Sequence, residues 1–160
     1  MKDDQILKTA KELTNDFLIQ MGLDAEIKTS FNVDPDKEDV RYLSVELEGD
    51  NLNELIGHHG RNLESAQVVL GLMLTRKIED KSVRLVLDIN AYKVSREKYL
   101  QSYALRAADQ VRESGQELEL MPMKPSERRI VHMVLKEEKD IETESKGEGE
   151  DRRVVIRKSK

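Results

Sequence analysis

Apolar positions recur along most of the chain with two periods, one helical and one alternating. Ile6, Leu7, Ala10, Leu13, Phe17, Leu18 and Met21 fall at helical spacing, and Gly22 supplies a stop. Residues 25–33 alternate (Ala25, Ile27, Phe31, Val33), as an exposed-faced strand does. Asp34-Pro35-Asp36-Lys37-Glu38-Asp39 reads as a turn by its proline and charge. Alternation resumes over 40–47 at Val40, Tyr42 or Leu43, Val45 and Leu47, so the two strands form a hairpin closed by Gly49. A short helix over 52–56 follows, with Asn51 as its N-cap and Glu54 as the capping-box partner.

Gly57-His58-His59-Gly60 interrupts that helix. A second one runs over 61–77, with Leu63, Ala66, Leu70, Met73 and Leu74 on one side. Val83, Leu85, Leu87 and Ile89 then alternate as a strand, giving the order α-β-β-α-α-β closing near Asn90. Beyond it the spacing predicts a long helix over 91–114, buried through Val94, Leu100, Ala104, Ala107, Ala108 and Val111 and ended by Gly115. A short strand over 117–120, a helix over 126–136 and two strands over 141–145 and 152–157 complete the chain. The reading is an α+β protein of two domains, 1–90 and 91–160, the second a small α/β unit beginning with the long helix.

Composition narrows the chemistry. With 160 residues, each unit buries only a modest core. No cysteine is present, which removes disulfides, thiolate metal sites and a cysteine nucleophile. The first residues are acidic and lead straight into an amphipathic pattern, and no apolar run approaches membrane-spanning length. A signal peptide and membrane insertion are therefore not expected, and the expected compartment is the cytoplasm. The formal net charge of −5 is unevenly distributed. Residues 1–56 carry 6 basic and 14 acidic side chains, 57–115 carry 10 and 7, and 116–160 carry 11 and 11. A polyanion is better accommodated after residue 57 than before it.

A Gly-x-x-Gly between helices leaves backbone N–H groups at a helix start and admits another backbone closely, an arrangement suited to a phosphate chain. A plain helix–turn–helix junction would explain the two glycines equally well. The segment Leu55-Ile56-Gly57-His58-His59-Gly60-Arg61-Asn62-Leu63, followed by Ala66-Gln67, resembles the GxxG segment of a KH domain. The element order is that of the type II form. The resemblance implies single-stranded RNA as ligand, with single-stranded DNA as an alternative. Ile56, Gly57, His58, His59, Gly60 and Arg61 would hold the backbone, and bases would lie in the groove between the GxxG helices and the neighbouring strand. It also implies Lys or Arg at the two middle positions, where this chain has histidines.

The helix after Pro125 has Ile130, Val131, Met133, Val134 and Leu135 on one broad arc and Arg128, Arg129, His132 and Lys136 on the other. Spacing alone fits an amphipathic helix with a solvated basic face. Met121-x-Met123-x-Pro125-x-Glu127-Arg128-Arg129-Ile130-Val131-His132 resembles the signature of the R-three-H domain, a module associated with single-stranded nucleic acid. The tail from Glu142 to Gly149 and Arg152-Arg153-Val154-Val155-Ile156 extends the likeness. A KH domain followed by this module resembles the bacterial Jag family, the SpoIIIJ-associated proteins. The resemblance implies that Arg128 and His132 are the name-giving pair, with Arg129 and Lys136 beside them. Arg153 and Arg157 lie on one side of the last strand and are expected to extend that basic surface. Jag proteins often carry an additional N-terminal domain, and this chain is expected to lack it.

Enzymatic chemistry finds little support. His132 with Arg128 and Glu127 lacks a nucleophile, a phosphate-binding lysine loop or paired catalytic carboxylates. Only 3 histidines are present, two adjacent and one distant, so no metal site and no cofactor are expected. The expectation is a non-enzymatic RNA-binding protein acting as a post-transcriptional regulator or RNA chaperone. The alternative is a protein–protein scaffold whose KH domain pairs with a small KH-only protein or a second copy of itself. The two histidines also carry a prediction. Neutral imidazoles give the loop hydrogen bonds but little charge, so RNA should bind more weakly at pH 8 than at pH 6. Titrating affinity across that range for the wild type and a His58→Asn/His59→Asn variant tests this, and identical profiles would end the idea.

Overall fold

The computed structural model describes residues 2–33 and 40–159, the side chain of Val33 excepted. The chain forms two compact units, Met1–Lys93 and Val94–Lys160. The turn expected over 34–39 lies outside the described residues.

In the first unit, helix α1 (Asp3–Gln20) leads into strand β1 (Glu26–Val33) and strand β2 (Arg41–Glu48). Helix α2 (Asn53–Ile56), a single tight turn over His58–Gly60, helix α3 (Arg61–Lys77) and strand β3 (Val83–Ile89) follow. β1 pairs antiparallel with β2, from Glu26↔Glu48 to Val33↔Arg41. β2 pairs parallel with β3, from Arg41↔Val83 to Leu47↔Ile89, which requires α2 and α3 as the crossover. The sheet order is therefore β1-β2-β3, with β3 at one edge. Leu43, Val45 and Leu47 alternate into the core beneath Leu63, Leu70 and Leu74 of α3 and Ile6, Ala10 and Leu18 of α1.

Local chemistry corrects the expected start of α2. Asn51 is not its N-cap: the cap position is Leu52, and no side chain bonds there. Asn51 instead adopts φ +62, the left-handed conformation that asparagine tolerates, so it serves the turn out of β2. Asn90 and Ala91 are also left-handed, at φ +50 and +53. Asn90 is clamped from both sides. Its Nδ2 donates to the Gly49 carbonyl at 2.9 Å, and its Oδ1 accepts from the Gly49 N–H at 3.0 Å.

Helix α4 (Tyr92–Ser114) begins at the end of the first unit and carries the chain into the second. There follow strand β4 (Leu118–Glu119), helix α5 (Pro125–Leu135), strand β5 (Ile141–Lys146) and strand β6 (Arg153–Lys158). The three strands form an antiparallel sheet in the order β4-β6-β5. Leu100, Ala104, Ala107, Ala108 and Val111 of α4 pack with Val131 and Leu135 of α5 and with Val154 and Ile156. Two positions expected inside are not. Val94 is exposed near the start of α4, and Met133 is exposed on α5, outside the arc of Val131 and Leu135. Among the described residues no helix is long and apolar enough to cross a membrane.

One ion pair is buried in the second unit. Arg96 Nε donates to Glu127 Oε1 at 2.8 Å, with the side chains 14% and 8% exposed. The other carboxylate oxygen accepts the Lys124 N–H at 3.3 Å, so the same group closes the N-terminal turn of α5. Proline at the first position of α5 sacrifices no helical hydrogen bond. Removing one partner of such a pair strands the other charge in a dry environment. Glu127→Ala should therefore cost roughly 3–5 kcal/mol in urea denaturation followed by circular dichroism, while Arg96→Met with Glu127→Leu recovers most of it. Equal losses in the single and double variants would refute this account.

Candidate nucleic-acid interface

The first candidate element is the link between α2 and α3. Gly57 has φ +69 with ψ −176, and Gly60 has φ +76, both outside the range comfortable for other residues. A Cβ on Gly57 would lie 2.5 Å from Asn62 Cγ. Asn62 is held there because its Nδ2 donates to the Glu54 carbonyl at 2.7 Å, tying the end of α2 to the start of α3. A Cβ on Gly60 would lie 2.8 Å from Cε1 of Tyr92. Both glycines are thus demanded by the local packing. Between them, His58 is exposed, His59 is left-handed at φ +52, and the two rings stack at 3.8 Å. Ile56 is partly buried and Arg61 is exposed on the first turn of α3. His58 and Arg61 are thus the exposed side chains at the N-terminal end of α3, where the helix dipole favours an anion, while Gly60 is buried.

The second element is a groove of about 510 Å³ between α5 and β5. Pro125, Arg128, Arg129, His132, Met133 and Lys136 line it from the helix, a stripe at spacings of three and four. Ile141, Thr143 and Ser145 line it from the strand, and Arg152 from the turn before β6. His132 is fixed through both ring nitrogens. Nδ1 lies 2.7 Å from Thr143 Oγ1, and Nε2 lies 2.9 Å from Ser145 Oγ. Arg128 Nη1 donates to the Met123 carbonyl at 2.7 Å, and Arg152 Nη1 to the Gly147 carbonyl at 3.0 Å. Arg129 and Lys136 make no hydrogen bond or ion pair among the described residues, so their charges face solvent at the rim. Four cationic side chains line the groove and no carboxylate does.

Of the residues expected on this surface, Arg128, Arg129, His132 and Lys136 come together, while Arg153 and Arg157 do not join them. In the β5–β6 register Thr143 faces Ile156 and Ser145 faces Val154, on the side of α5. Arg157 is paired with Glu142 and Arg153 with Lys146, on the opposite side of the sheet. There Arg157 bonds Glu142 at 3.1 Å and Arg153 approaches Glu119 at 3.6 Å. Their even spacing does put them on one side of the strand, but it is the other side. Thr143, Ser145, Met133 and Arg152 were not singled out as site residues. The alternation of β5 could have assigned the two hydroxyls to the face of Ile141, whereas Arg152 arrives from a turn and leaves no periodic signal.

This geometry is that of a two-unit α+β protein whose second unit is a small helix-and-sheet module with a basic groove. The family model of the R-three-H domain matches residues 98–158, and the second unit is an R-three-H domain. The chain is similar over most of its length to bacterial proteins that share one name. It is 32% identical over 153 residues to a protein from Clostridium symbiosum named RNA-binding protein KhpB, covering 93% of this chain and 66% of that protein. It is 33% identical over 131 residues to the Bacillus subtilis protein of that name, covering 81% and 61%. The Streptococcus pneumoniae serotype 2 protein is 27% identical over 116 residues, covering 72% and 35%. The chain thus spans two thirds or less of the length of these relatives.

His132 titrates abnormally because of its setting. Burial, and then the neighbouring Arg128 charge, lower its pKa from the usual 6.5. The imidazole is neutral at physiological pH, so it joins the groove as a hydrogen-bonding group and the charge comes from its neighbours. An unfolded chain takes up the proton near pH 6.5 while the folded one resists it, so stability is lost as pH falls from 6.5 towards the lowered value. The drop in melting temperature from pH 7.5 to pH 5.5 should accordingly be smaller in His132→Gln than in the wild type. An NMR titration should place the wild-type midpoint below 6.5, and a midpoint above that value would overturn the assignment.

Proposed function

We propose that the chain is a non-enzymatic single-stranded RNA-binding protein, acting as a bacterial post-transcriptional regulator or RNA chaperone. The GxxG surface of a KH-type first unit and the α5 groove both take the RNA backbone. The observation that carries the reading is the groove in which Arg128, Arg129, Lys136 and Arg152 converge without an opposing carboxylate. A phosphate chain matches that surface in charge, and guanidinium groups match it in geometry. The relatives named RNA-binding protein KhpB support the choice of RNA over other polyanions. The loop adds backbone donors and two histidines, so it positions the strand while the groove supplies most of the electrostatic affinity.

A second reading is a scaffold in which the first unit pairs with a small KH-only protein or another copy of itself. Val68, Val69 and Leu72 favour it, since they stand exposed on the outer side of α3.

Fluorescence anisotropy with a labelled single-stranded RNA separates the two. Reversing the two unpartnered cations, Arg129→Glu with Lys136→Glu, should weaken binding more than about tenfold at low salt. It should also reduce the slope of log affinity against log salt by about 1.4, the value for two lost phosphate contacts on a single strand. His58→Asp with His59→Asp should weaken binding further. It tests the loop more cleanly than changing Gly57 or Gly60, whose substitution collides with Asn62 and Tyr92. Wild-type RNA affinity in both double variants would discard the loop and the groove as the RNA-binding surfaces, and no RNA binding by the wild type would discard the RNA reading. Loss of self-association or of KH-only partner binding in Val68→Lys/Leu72→Lys, with RNA binding intact, would support a pairing role for α3.

A further inference from the structure

β3 is an edge strand, and its even-numbered residues bond inward: Asn90 N–H reaches the Leu47 carbonyl and the Ser82 carbonyl receives the Arg41 N–H. Leu85, Leu87 and Ile89 consequently turn their peptide groups outward, along the strand that α3 packs against. Two of those N–H groups are taken by side chains. Ile89 N–H donates to its neighbour Asp88 Oδ1 at 2.9 Å, a local turn. Leu87 N–H donates to Gln67 Oε1, 3.0 Å away on α3.

That bond fixes which way the Gln67 carboxamide points. Leu87 N–H is a donor, and Lys93 Nζ, another donor, lies 3.5 Å from the same oxygen. The oxygen must face them and the NH2 must face away. The amide nitrogen has no partner among the described residues. It is not buried either, since the one buried unpaired side-chain atom among them belongs to Arg96. Two oriented N–H donors therefore reach solvent, at a position seven residues beyond Gly60, roughly 10 Å along the helix. The edge donor of Leu87 is in effect relayed outward by one side chain.

Resting on the RNA reading above, we infer that Gln67 is a base-reading residue in the groove between α3 and β3. It favours bases that present a keto oxygen there, uracil or guanine, over those that present an amino group, cytosine or adenine. The chemistry is that of a fixed donor facing an acceptor: uracil and guanine offer carbonyl oxygens on the edges where cytosine and adenine offer NH2. A carboxamide free to rotate would read neither. This one is held by Leu87 and Lys93, so its preference has a sign.

Gln67→Glu keeps the shape and reverses the donor to an acceptor, and its charge is matched by Lys93. Gln67→Leu removes the polar group. Competition of twelve-nucleotide oligo-U, oligo-C and oligo-A against a labelled RNA should show wild-type preference for U over C of roughly fivefold, the scale of one hydrogen bond. Gln67→Glu should move the preference towards C and A, and Gln67→Leu should level it. Amide exchange at Leu87 and unchanged melting curves confirm that each variant remains folded. If all three proteins share one selectivity while binding RNA, Gln67 only guards the sheet edge and the inference fails alone. If the wild type binds none of the oligonucleotides, the RNA reading fails and this inference with it.

Discussion

Helix α5 can present a basic groove only if it lies on β5 in one register, and the imidazole of His132 sets that register. Val131 and Leu135 bury the inner side of the helix, but apolar contact tolerates small slides along the sheet. Two hydrogen bonds from one rigid ring to Thr143 and Ser145, two residues apart on the strand, do not. At the N-terminal end, Glu127 closes the first turn and binds Arg96. The helix is therefore positioned at its start by a buried carboxylate and along its length by a half-buried imidazole. His132 is thus a structural residue of the module, bonded on both ring nitrogens to β5. Arg128 likewise uses one nitrogen on the Met123 carbonyl and retains the rest of its guanidinium for the groove.

Much of this arrangement was legible in the linear pattern, because it rests on period and spacing. The α-β-β-α-α-β order followed from alternating and helical apolar positions, and the spacing of Arg128, Arg129, His132 and Lys136 put them on one helix face. What failed was information that periodicity does not hold. Spacing says that Arg153 and Arg157 share a side, yet which side depends on the cross-strand partners Glu142 and Lys146. Asn51 is equally suited to capping a helix and to a left-handed turn, and the chain uses it for the turn. Met133 falls beside an apolar arc but at its margin, where the groove needs a rim. The Gly57 loop was visible from its glycines, whereas the need for them, Asn62 below one and Tyr92 beside the other, is tertiary.

Charge pairing explains how a chain of net charge −5 can offer a cationic surface. Residues 116–160 hold equal numbers of acidic and basic groups, and the fold separates them. Arg112 on α4 gathers Asp109, Glu138 and Asp140, and its guanidinium holds the Asp140 carboxyl down to about 2. On the far side of the sheet, Arg153 faces Glu119, and Arg157 faces Glu142 and Glu144. Six carboxylates are thereby matched to cations away from the groove. Arg128, Arg129, Lys136 and Arg152 remain on the α5 side with none opposing them.

The same segregation bears on range. Exposed charges act over about 8–10 Å at physiological salt, so a ligand near the groove feels its four cations more than the net charge of the chain. Long-range attraction is weak, because the acidic excess before residue 57 opposes it, and short-range attraction is strong. A surface of that kind would hold an extended anion at short range only. The loop at Gly57, with imidazoles where fixed charge would increase that reach, follows the same economy: contact chemistry is favoured over the long-range field.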